Sequence, residues 1–439
     1  MGTDRIHPEP SPLYAGLPRG PNGMHPDEVA RNQRARLYGA MIESVSESGY
    51  QATTVAHVIA LAGVSRRAFY EQFPNKEQCF LATYDILVAR GRKRLVAAWR
   101  SQRSWADSLH GACRSLIDDL AFAPKGPRLV LVHSLGVGPR ALERLQLAGL
   151  AFERLLACGF RAAPDGAELP VLAPRAIVGG VRHLAFRRLL EGRERELPAL
   201  GEELLDWIES YRSPAVARLA ALGLPRPRPL TPRPAAFLAG GKPHARALGA
   251  LAQLTLGDGY ARLSDLRIAE EAGLSTEAFH AHFRNRRECF LALLDEFGAE
   301  SLEEARDLWK TAPSWPQAVH RAIAAYLEHL LAHPELTRIA FAELFALGPA
   351  IAHRLTGSVD GLVDLLAQGA PAPRHGSAVL PEALTGALWS VIATYVANDR
   401  LARLPCLIDQ LAFIVLAPHL GAKGAVEALQ AIRRPLRAV

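Results

Sequence analysis

Three side chains near position 66 have the types and spacing of a DNA-reading surface. Arg66, Arg67 and Tyr70 fall at i, i+1 and i+4, on one side of a helix whose Ala68 and Phe69 can face inward. A cationic and aromatic outer face suits the major groove of DNA, where arginines read guanine edges or contact phosphate. An ordinary helical hairpin with a solvated face has the same spacing.

The flanking residues supply the elements that would position those side chains. Thr54 and Ser65 are candidate N-caps of two successive helices. Residues 62–64, Ala-Gly-Val, have the length of the turn in a helix-turn-helix, and Gly63 can adopt a backbone conformation that larger residues resist. Residues 49–82 are therefore predicted to form two short helices, a tight turn and a third helix.

This stretch resembles a known family. The string G-Y-x-x-T-T-V-x-x-V-x-x-x-A-G-V-S-x-x-x-F-Y-x-x-F-x-N-K-E is similar to the DNA-binding domain of TetR/AcrR-type bacterial transcription regulators. By this resemblance Tyr70 and Lys76 match phosphate-contacting positions. The sequence departs from the family at Ile59, Ala68 and Gln72, where Ala, Thr and a phosphate-touching His are common.

The same pattern occurs again 210 positions later without a gap. The paired residues are Gly49-Tyr50 with Gly259-Tyr260, Ala62-Gly63 with Ala272-Gly273, Phe73 with Phe283, and Cys79-Phe80-Leu81-Ala82 with Cys289-Phe290-Leu291-Ala292. Trp105 also pairs with Trp315, and Leu197-Pro198 matches Leu404-Pro405 at a separation of 207. The chain is therefore interpreted as one regulator-like unit written twice.

The second copy offers different side chains at the reading positions. Its candidate DNA contacts are Ser275, Thr276, Glu277, His280, His282 and Arg286. Glu277 would be repelled by phosphate but can accept a hydrogen bond from a cytosine amino group. Asp265 replaces the apolar Val55, which predicts a looser core. The second copy is predicted to read a different half-site; the alternative is a partner that kept the fold and lost the DNA.

Both copies are predicted to be all-α, because apolar residues recur at helical spacing and no long alternating pattern occurs. The predicted domains are a disordered tail at 1–30, helix-turn-helix domains at 31–90 and 241–300, helical effector and dimerisation bundles at 91–222 and 301–439, and a Pro-rich linker at 223–240. We call residues 31–222 unit one and residues 241–439 unit two. The linker's arginines are interpreted as solvated, and its twelve residues 223–234 could span about 37 Å as polyproline helix.

The resemblance implies that each bundle binds an unknown small-molecule effector. The pocket candidates are Trp105, His110 and His133 in unit one, and Trp315, Tyr326, Phe341, Glu343 and Phe345 in unit two. Plain core packing is the alternative interpretation of these aromatic residues.

The resemblance also implies a four-helix dimer interface, at 174–190 with 201–211 and at 381–399 with 404–419. Because the linker tethers two unlike units, we expect them to pair within the chain as a pseudo-dimer, with further oligomerisation possible. The facing sets would be Arg182, His183, Arg187 and Arg188 against Trp389, Ser390, Thr394 and Tyr395, which predicts arginine over aromatic rings.

Composition narrows the function classes. The chain has 439 residues, 51 basic against 44 acidic, for a net charge of +7 that favours polyanions only mildly. Its five scattered cysteines predict no disulfide framework and no metal site, and they fit a reducing cytoplasm. The absence of about 18 consecutive uncharged apolar residues predicts no membrane partner.

The predicted function is therefore that of a cytoplasmic, nucleoid-associated regulator that binds double-stranded DNA, a repressor relieved by a small molecule. No nucleophile–base pattern or phosphate-binding Gly loop occurs, so neither an enzyme nor a cofactor is predicted. The alternative is a helical ligand-binding or protein-interaction module in which DNA binding is vestigial.

Overall fold

Helices account for the regular structure of the protein. The computed structural model describes residues 25–164, 169–220, 227–341, 357–373 and 379–433, and these ranges contain no β-strand. The all-α prediction is confirmed.

The described part of unit one contains ten α-helices: α1 (Pro26–Ala52), α2 (Val55–Ala62), α3 (Arg66–Gln72), α4 (Lys76–Arg100), α5 (Trp105–Phe122), α6 (Lys125–Leu131), α7 (Pro139–Arg161), α8 (Ala173–Glu191), α9 (Gly201–Glu209) and α10 (Ala217–Ala220). Short 3-10 helices lie at His133–Gly136, Glu194–Leu200 and Pro214–Val216.

The described part of unit two repeats this order: α11 (Pro243–Asp258), α12 (Asp265–Glu271), α13 (Thr276–His280), α14 (Arg286–Lys310), α15 (Trp315–Ala332), α16 (Pro334–Phe341), α17 (Gly357–Ala367), α18 (Leu380–Ala397) and α19 (Ile408–Arg433). Its 3-10 helices are Ala236–Leu238, Tyr260–Arg262 and Leu401–Leu407.

Side-chain caps fix where the short helices begin. Thr54 accepts a hydrogen bond from the third residue of α2, and Ser65 does the same for α3. Asn75 caps α4, while Ser264, Ser275 and Asn285 cap α12, α13 and α14. Each cap satisfies a backbone N–H that has no partner inside its helix. The two helix-turn-helix segments are therefore set by the same local chemistry.

The two helix-turn-helix segments are embedded differently. In unit one, α1 to α4 enclose a core of their own, which includes Met41, Phe69 and Phe80. From α6 and α7 this core takes the buried Leu129 and Ala141, and Val130 and Ala148 pack against it. In unit two the corresponding apolar residues belong to one continuous core with both bundles. The first segment is thus the more independently packed of the two.

The first helix begins earlier than the predicted boundary between the tail and the first domain. α1 begins at Pro26, inside the segment assigned to the tail, and residues 1–24 lie outside the described residues.

The described part of the linker lies along unit two. The backbone N–H groups of Arg228 and Arg233 donate to the carbonyls of Ala402 and Ala332, at 3.0 and 2.8 Å. The Arg228 guanidinium pairs with Glu328 of unit two at 2.7 Å, and both side chains remain exposed to solvent. Residues 221–226 of the linker lie outside the described residues.

Two segments of unit two, Leu380–Ala397 and Leu401–Arg433, are long and apolar enough to cross a bilayer by length and composition alone. Most of each apolar stretch is buried inside the protein, as in the core helices of a folded bundle.

Candidate nucleic-acid interface

The outer face of α3 carries the three side chains that the sequence singled out. Arg66, Arg67 and Tyr70 are exposed, while Phe69 is fully buried beneath them. The Arg66 guanidinium lies 5.8 Å from the centre of the Tyr70 ring. Arg67 is 89% exposed and pairs with Glu71 at 2.8 Å. An exposed pair of this kind contributes little, so Arg67 can exchange it for a nucleic-acid acceptor.

An arginine that sequence reasoning missed fixes the turn before α3. Arg36 on α1 donates to the Gly63 carbonyl oxygen at 2.9 Å, and Arg246 donates to that of Gly273 at 2.8 Å. Both glycines are left-handed, with φ of 57° and 61°. The sequence signal for this contact was that Arg36 and Arg246 occupy matching positions, 210 residues apart. These contacts set the position of the reading helix relative to the first helix of each unit.

Lys76, matched by resemblance to a phosphate contact, is tied to the protein backbone. Its ammonium donates to the carbonyls of Tyr50 and Thr53, both at 2.9 Å, and lies 4.1 Å from the Tyr50 ring centre. Burial lowers its pKa. Arg286 lies in the same way 5.1 Å from the Tyr260 ring centre. Both cations therefore join the end of the first helix of each unit to the start of the fourth, and their contact with phosphate stays a prediction.

The end of each reading helix is held against the first helix. In unit one the Gln72 side chain accepts two hydrogen bonds from Arg34, at 3.0 and 2.6 Å. In unit two the corresponding His244 and His282 rings lie 5.9 Å apart, with His282 exposed. Arg34 therefore adds an exposed cation beside α3 that the sequence analysis did not include.

The reading helix of unit two is shorter and less cationic. α13 has five residues where α3 has seven. Glu277 is exposed, and its carboxylate accepts from its own backbone N–H and from the Ser275 hydroxyl, which lowers its pKa. His280 Nδ1 lies 3.2 Å from the Phe283 carbonyl oxygen, and Thr276 is half-buried. The side chains of unit two that were predicted to read DNA thus lie close together, and Glu277 and His280 contact neighbouring groups of the same segment.

Asp265, predicted to loosen the core of this segment, lies half-buried at the start of α12. Its carboxylate accepts a hydrogen bond from the Arg286 backbone N–H at 2.7 Å. It therefore satisfies the N-terminus of α14 instead of leaving a charge unpaired among apolar residues.

Comparison with known proteins agrees with these two segments. The sequence profile of the bacterial regulatory proteins, tetR family, matches residues 40–83 and again residues 248–293. The chain carries the tetR-family domain twice. The predicted family resemblance and its duplication are confirmed.

Individual relatives cover less of the molecule. The nucleoid occlusion factor SlmA of Pasteurella multocida (strain Pm70) is 31% identical over 93 residues, which are 20% of this chain and 45% of that protein. The match thus spans less than half the length of this curated relative. A solved structure of the fatty acid degradation regulator FadR from Bacillus halodurans aligns with 40% of this chain and 96% of its own, at 19% identity and a TM-score of 0.35, too low to carry an argument.

Behind the first tetR-family domain lies an apolar cavity of about 200 Å³. It is enclosed by α4 to α9, with Val88, Trp99 and Phe152 among its lining residues. The Tyr84 hydroxyl is buried there without a hydrogen-bond partner in the described part of the chain, and burial raises its pKa. Arg182 brings a half-buried guanidinium, whose pKa burial lowers. The cavity thus combines apolar walls with two polar groups.

None of the three pocket candidates in unit one lines this cavity. The Trp105 indole donates to the Gly159 carbonyl at 2.8 Å and lies beneath the Arg212 guanidinium, so it joins the ends of α5 and α7. His110 is exposed. His133 is half-buried at the start of a 3-10 helix, where burial and Arg128 lower its pKa.

The candidates in unit two are scattered as well. Trp315 donates to the Leu366 carbonyl at 2.9 Å, and Tyr326 is fully buried in the core. Phe341 stacks on Trp389 and lines a second cavity, of about 390 Å³, between the two units. Glu343 and Phe345 lie outside the described residues.

The two units meet where α8 crosses α18 at glycines. A Cβ on Gly179 would overlap Ser390 and lie 2.8 Å from the Gly386 carbonyl oxygen. A Cβ on Gly386 would overlap His183 and lie 2.7 Å from the Gly179 carbonyl oxygen. Gly179 and Gly386 are 207 positions apart, as are His183 and Ser390, so the contacts are reciprocal.

An ion pair crosses this interface, where the sequence predicted arginines over aromatic rings. Arg188, which is buried, donates through Nη1 to both carboxylate oxygens of Glu382 at 2.9 Å. Arg187 instead pairs with Glu191 on its own helix. The Tyr211 hydroxyl donates to the Ile414 carbonyl at 3.1 Å. The interface is thus held by close backbone approach and directed polar contacts.

Proposed function

We propose that the protein is a sequence-specific DNA-binding transcription regulator whose first tetR-family domain is the principal reader. The observation that carries this proposal is the exposed face of α3. There Arg66, Arg67 and Tyr70 project from a capped helix whose turn is held by Arg36. Exposed arginines on a rigid helix can donate to guanine edges and phosphates in a major groove.

We further propose that the chain acts as a single-chain pseudo-dimer. The reciprocal contacts of Gly179 and Gly386 across α8 and α18 support this, because matching surfaces facing each other are what a two-fold interface requires. Two tetR-family domains in one chain then take the place of two identical subunits. Since their reading helices differ, the operator consists of two unlike half-sites about 34–36 Å apart rather than a palindrome.

The same regulator is proposed to be a repressor that a small molecule releases from DNA. α4 begins at Lys76, within the first tetR-family domain, and its later residues Tyr84, Val88 and Trp99 line the apolar cavity. The single helix α4 therefore connects the proposed effector cavity to the first tetR-family domain. A ligand that binds better when α4 is displaced would shift the population toward a spacing of the two heads that no longer fits DNA.

Selection of bound sites from random double-stranded DNA tests both heads at once. We expect two unlike half-sites, with the stronger base preference in the half-site read by α3. Enrichment of a symmetric inverted repeat would rule out the pseudo-dimer reader. The recovered site should also give a mobility shift that weakens steeply with salt. No shift at low salt would instead favour the helical interaction module.

A second candidate is supported by the local engagement of Glu277 and His280: unit two is a partner that keeps the fold without reading DNA. In that case selection enriches one half-site only. The substitution Glu277→Ala then leaves affinity unchanged, whereas in a genuine second reader it alters the preferred base opposite α13.

A further inference from the structure

Two buried histidines and a carboxylate converge in unit two. His329 lies on the last turn of α15, His333 follows the end of that helix, and Glu300 comes from the neighbouring α14. Their ligand atoms all fall within 4.8 Å of one another, and His333 Nε2 is 3.8 Å from a Glu300 carboxylate oxygen. His329 and His333 are only 3% and 7% exposed. The cluster plays no part in the DNA-binding surfaces or the effector cavity.

One atom of the cluster has an unmet bonding requirement. His329 Nε2 is buried and has no hydrogen-bond partner within the described ranges. Leaving a buried polar atom without a hydrogen bond is unfavourable, and a bound cation would satisfy it. A neutral imidazole offers a nitrogen lone pair to an electrophile.

We propose that Glu300, His329 and His333 bind a divalent transition-metal ion of the zinc class. Two imidazole nitrogens and one carboxylate oxygen are the protein ligands of one class of zinc site. In that class three protein ligands bind the ion, and water occupies the fourth position. Ligands about 2.1 Å from a tetrahedral ion are about 3.4 Å apart, so atoms that lie up to 4.8 Å apart need to approach each other by up to about 1.4 Å.

The surrounding contacts hold the carboxylate in place. Glu300 accepts from the backbone N–H groups of Ala236 and Phe237, at 3.2 and 3.4 Å, in the segment that leads from the linker into α11. Partners of this kind orient a metal-ligating carboxylate. The exposed Arg233 lies near His329, and its positive charge opposes the ion. The bound ion would tie the linker's end to α14 and α15.

The site belongs to unit two alone. The residues 210 positions earlier are Arg90, Asp119 and Ala123, and Asp119 is paired with Arg94 at 2.7 Å. Cysteine spacing predicts no metal site in this chain, because the five cysteines are widely scattered. The sequence signal for the site is His-x-x-x-His at one helical turn, in the copy that also carries the glutamate.

The proposal is tested on the full chain, stripped with a chelator and titrated with Co²⁺. We expect a visible absorption band of tetrahedral Co²⁺ that saturates at one equivalent and is lost when Zn²⁺ displaces it. Glu300→Gln, whose single amide oxygen can still accept from one of the two backbone N–H groups, and His333→Gln should each weaken binding about tenfold or more. The control His320→Gln, on the same helix but bonded to Asp409, should retain the band.

Absence of the band in the wild-type chain, or undiminished binding by Glu300→Gln and His333→Gln, would overturn the proposal. Circular dichroism establishes that each variant is folded. If a variant fails to fold, X-ray absorption at the zinc edge of the wild-type complex decides. Nitrogen and oxygen ligands with two imidazoles support the site, and a sulfur ligand contradicts it.

Discussion

At the residue scale, the turn before each reading helix depends on a glycine and an arginine together. Gly63 is left-handed, and a Cβ there would lie 2.5 Å from the nearer Arg36 guanidinium nitrogen. The absence of a side chain thus permits both the backbone conformation and the hydrogen bond to the carbonyl. The same pair recurs as Gly273 with Arg246.

We therefore expect Gly63→Ala to destabilise the protein by about 1–2 kcal/mol, because the left-handed conformation is strained for alanine and Arg36 must move. The free energy of unfolding in urea measures this. Gly91→Ala is the matched control: that glycine lies inside α4 with open space around it. It should stabilise by about 0.5–1 kcal/mol. Equal effects of the two substitutions would contradict the argument.

The exposed arginine of α3 gives the corresponding prediction for DNA. Arg67→Ala should weaken binding to the selected site about tenfold or more, since a good contact to a base edge contributes about 1–3 kcal/mol. Fluorescence anisotropy with labelled DNA measures the affinity at fixed salt. Arg103→Ala, an exposed arginine beyond the far end of α4, is the control and should leave affinity unchanged. If both substitutions weakened DNA binding by a similar factor, Arg67 would contribute only through the net positive charge of the protein and not through a specific contact.

At the element scale, α8 and α18 approach so closely that side-chain volume is excluded at their crossing. The atoms that a Cβ on Gly386 would meet include the Gly179 carbonyl and the Gly180 Cα, which are backbone and cannot rotate away. Small residues at a helix crossing set how near the two axes can lie. These glycines therefore decide the pairing of the units.

Gly386→Ala should cost about 1–3 kcal/mol, because the two helices must separate to admit the methyl group. Gly249→Ala, in α11 of the same unit, meets nothing within 4 Å and serves as the control. Thermal unfolding of both variants provides the comparison. An unchanged melting temperature in Gly386→Ala would show that the crossing is not tightly packed in solution.

His183 makes the same interface sensitive to acid. Burial, with Arg187 and Arg182 nearby, lowers its pKa to about 4, below the usual value of about 6.5 that it regains on unfolding. Between these values the unfolded chain binds the extra proton, so stability is retained above about pH 6.5 and is lost as the pH falls toward 4. The urea midpoint should drop further between about pH 7 and 5 in the wild type than in His183→Gln. Identical slopes would refute the assignment.

At the scale of the whole molecule, the two units are alike in plan and unlike in detail. Reciprocal glycines place one unit against the other, while Arg188 and Glu382 form a pair that has no counterpart, because the matching residues are Tyr395 and Arg175. The contact thus favours one unit against the other over either unit against its own copy.

We expect light scattering after size exclusion to give a mass near 47.6 kDa, because the surface that identical chains would share is already occupied within the chain. A mass near twice this value at every protein concentration would contradict the proposal that the two units pair within one chain. Glu382→Ala leaves Arg188 without that partner and should shift the mass toward larger species if the two units then part.

Local features of the fold could be predicted from the sequence because their physics is local. Caps such as Thr54 and Ser65, the left-handed Gly63 and the face of α3 each depend on residues a few positions apart. The duplication was equally visible, since it is written in the order of residue types.

Tertiary structure alone decided which helix faces meet. It placed the Trp105 indole against the end of α7, and Tyr84 and Arg182 at the cavity. It also placed the Asp265 carboxylate within hydrogen-bond distance of the Arg286 backbone N–H, and Glu300 beside His329 and His333. Helical periodicity says that a side chain is on an inner face but not which distant residue it will face. That pairing depends on packing over tens to hundreds of positions, so the sequence determined the parts and the folded chain determined the sites between them.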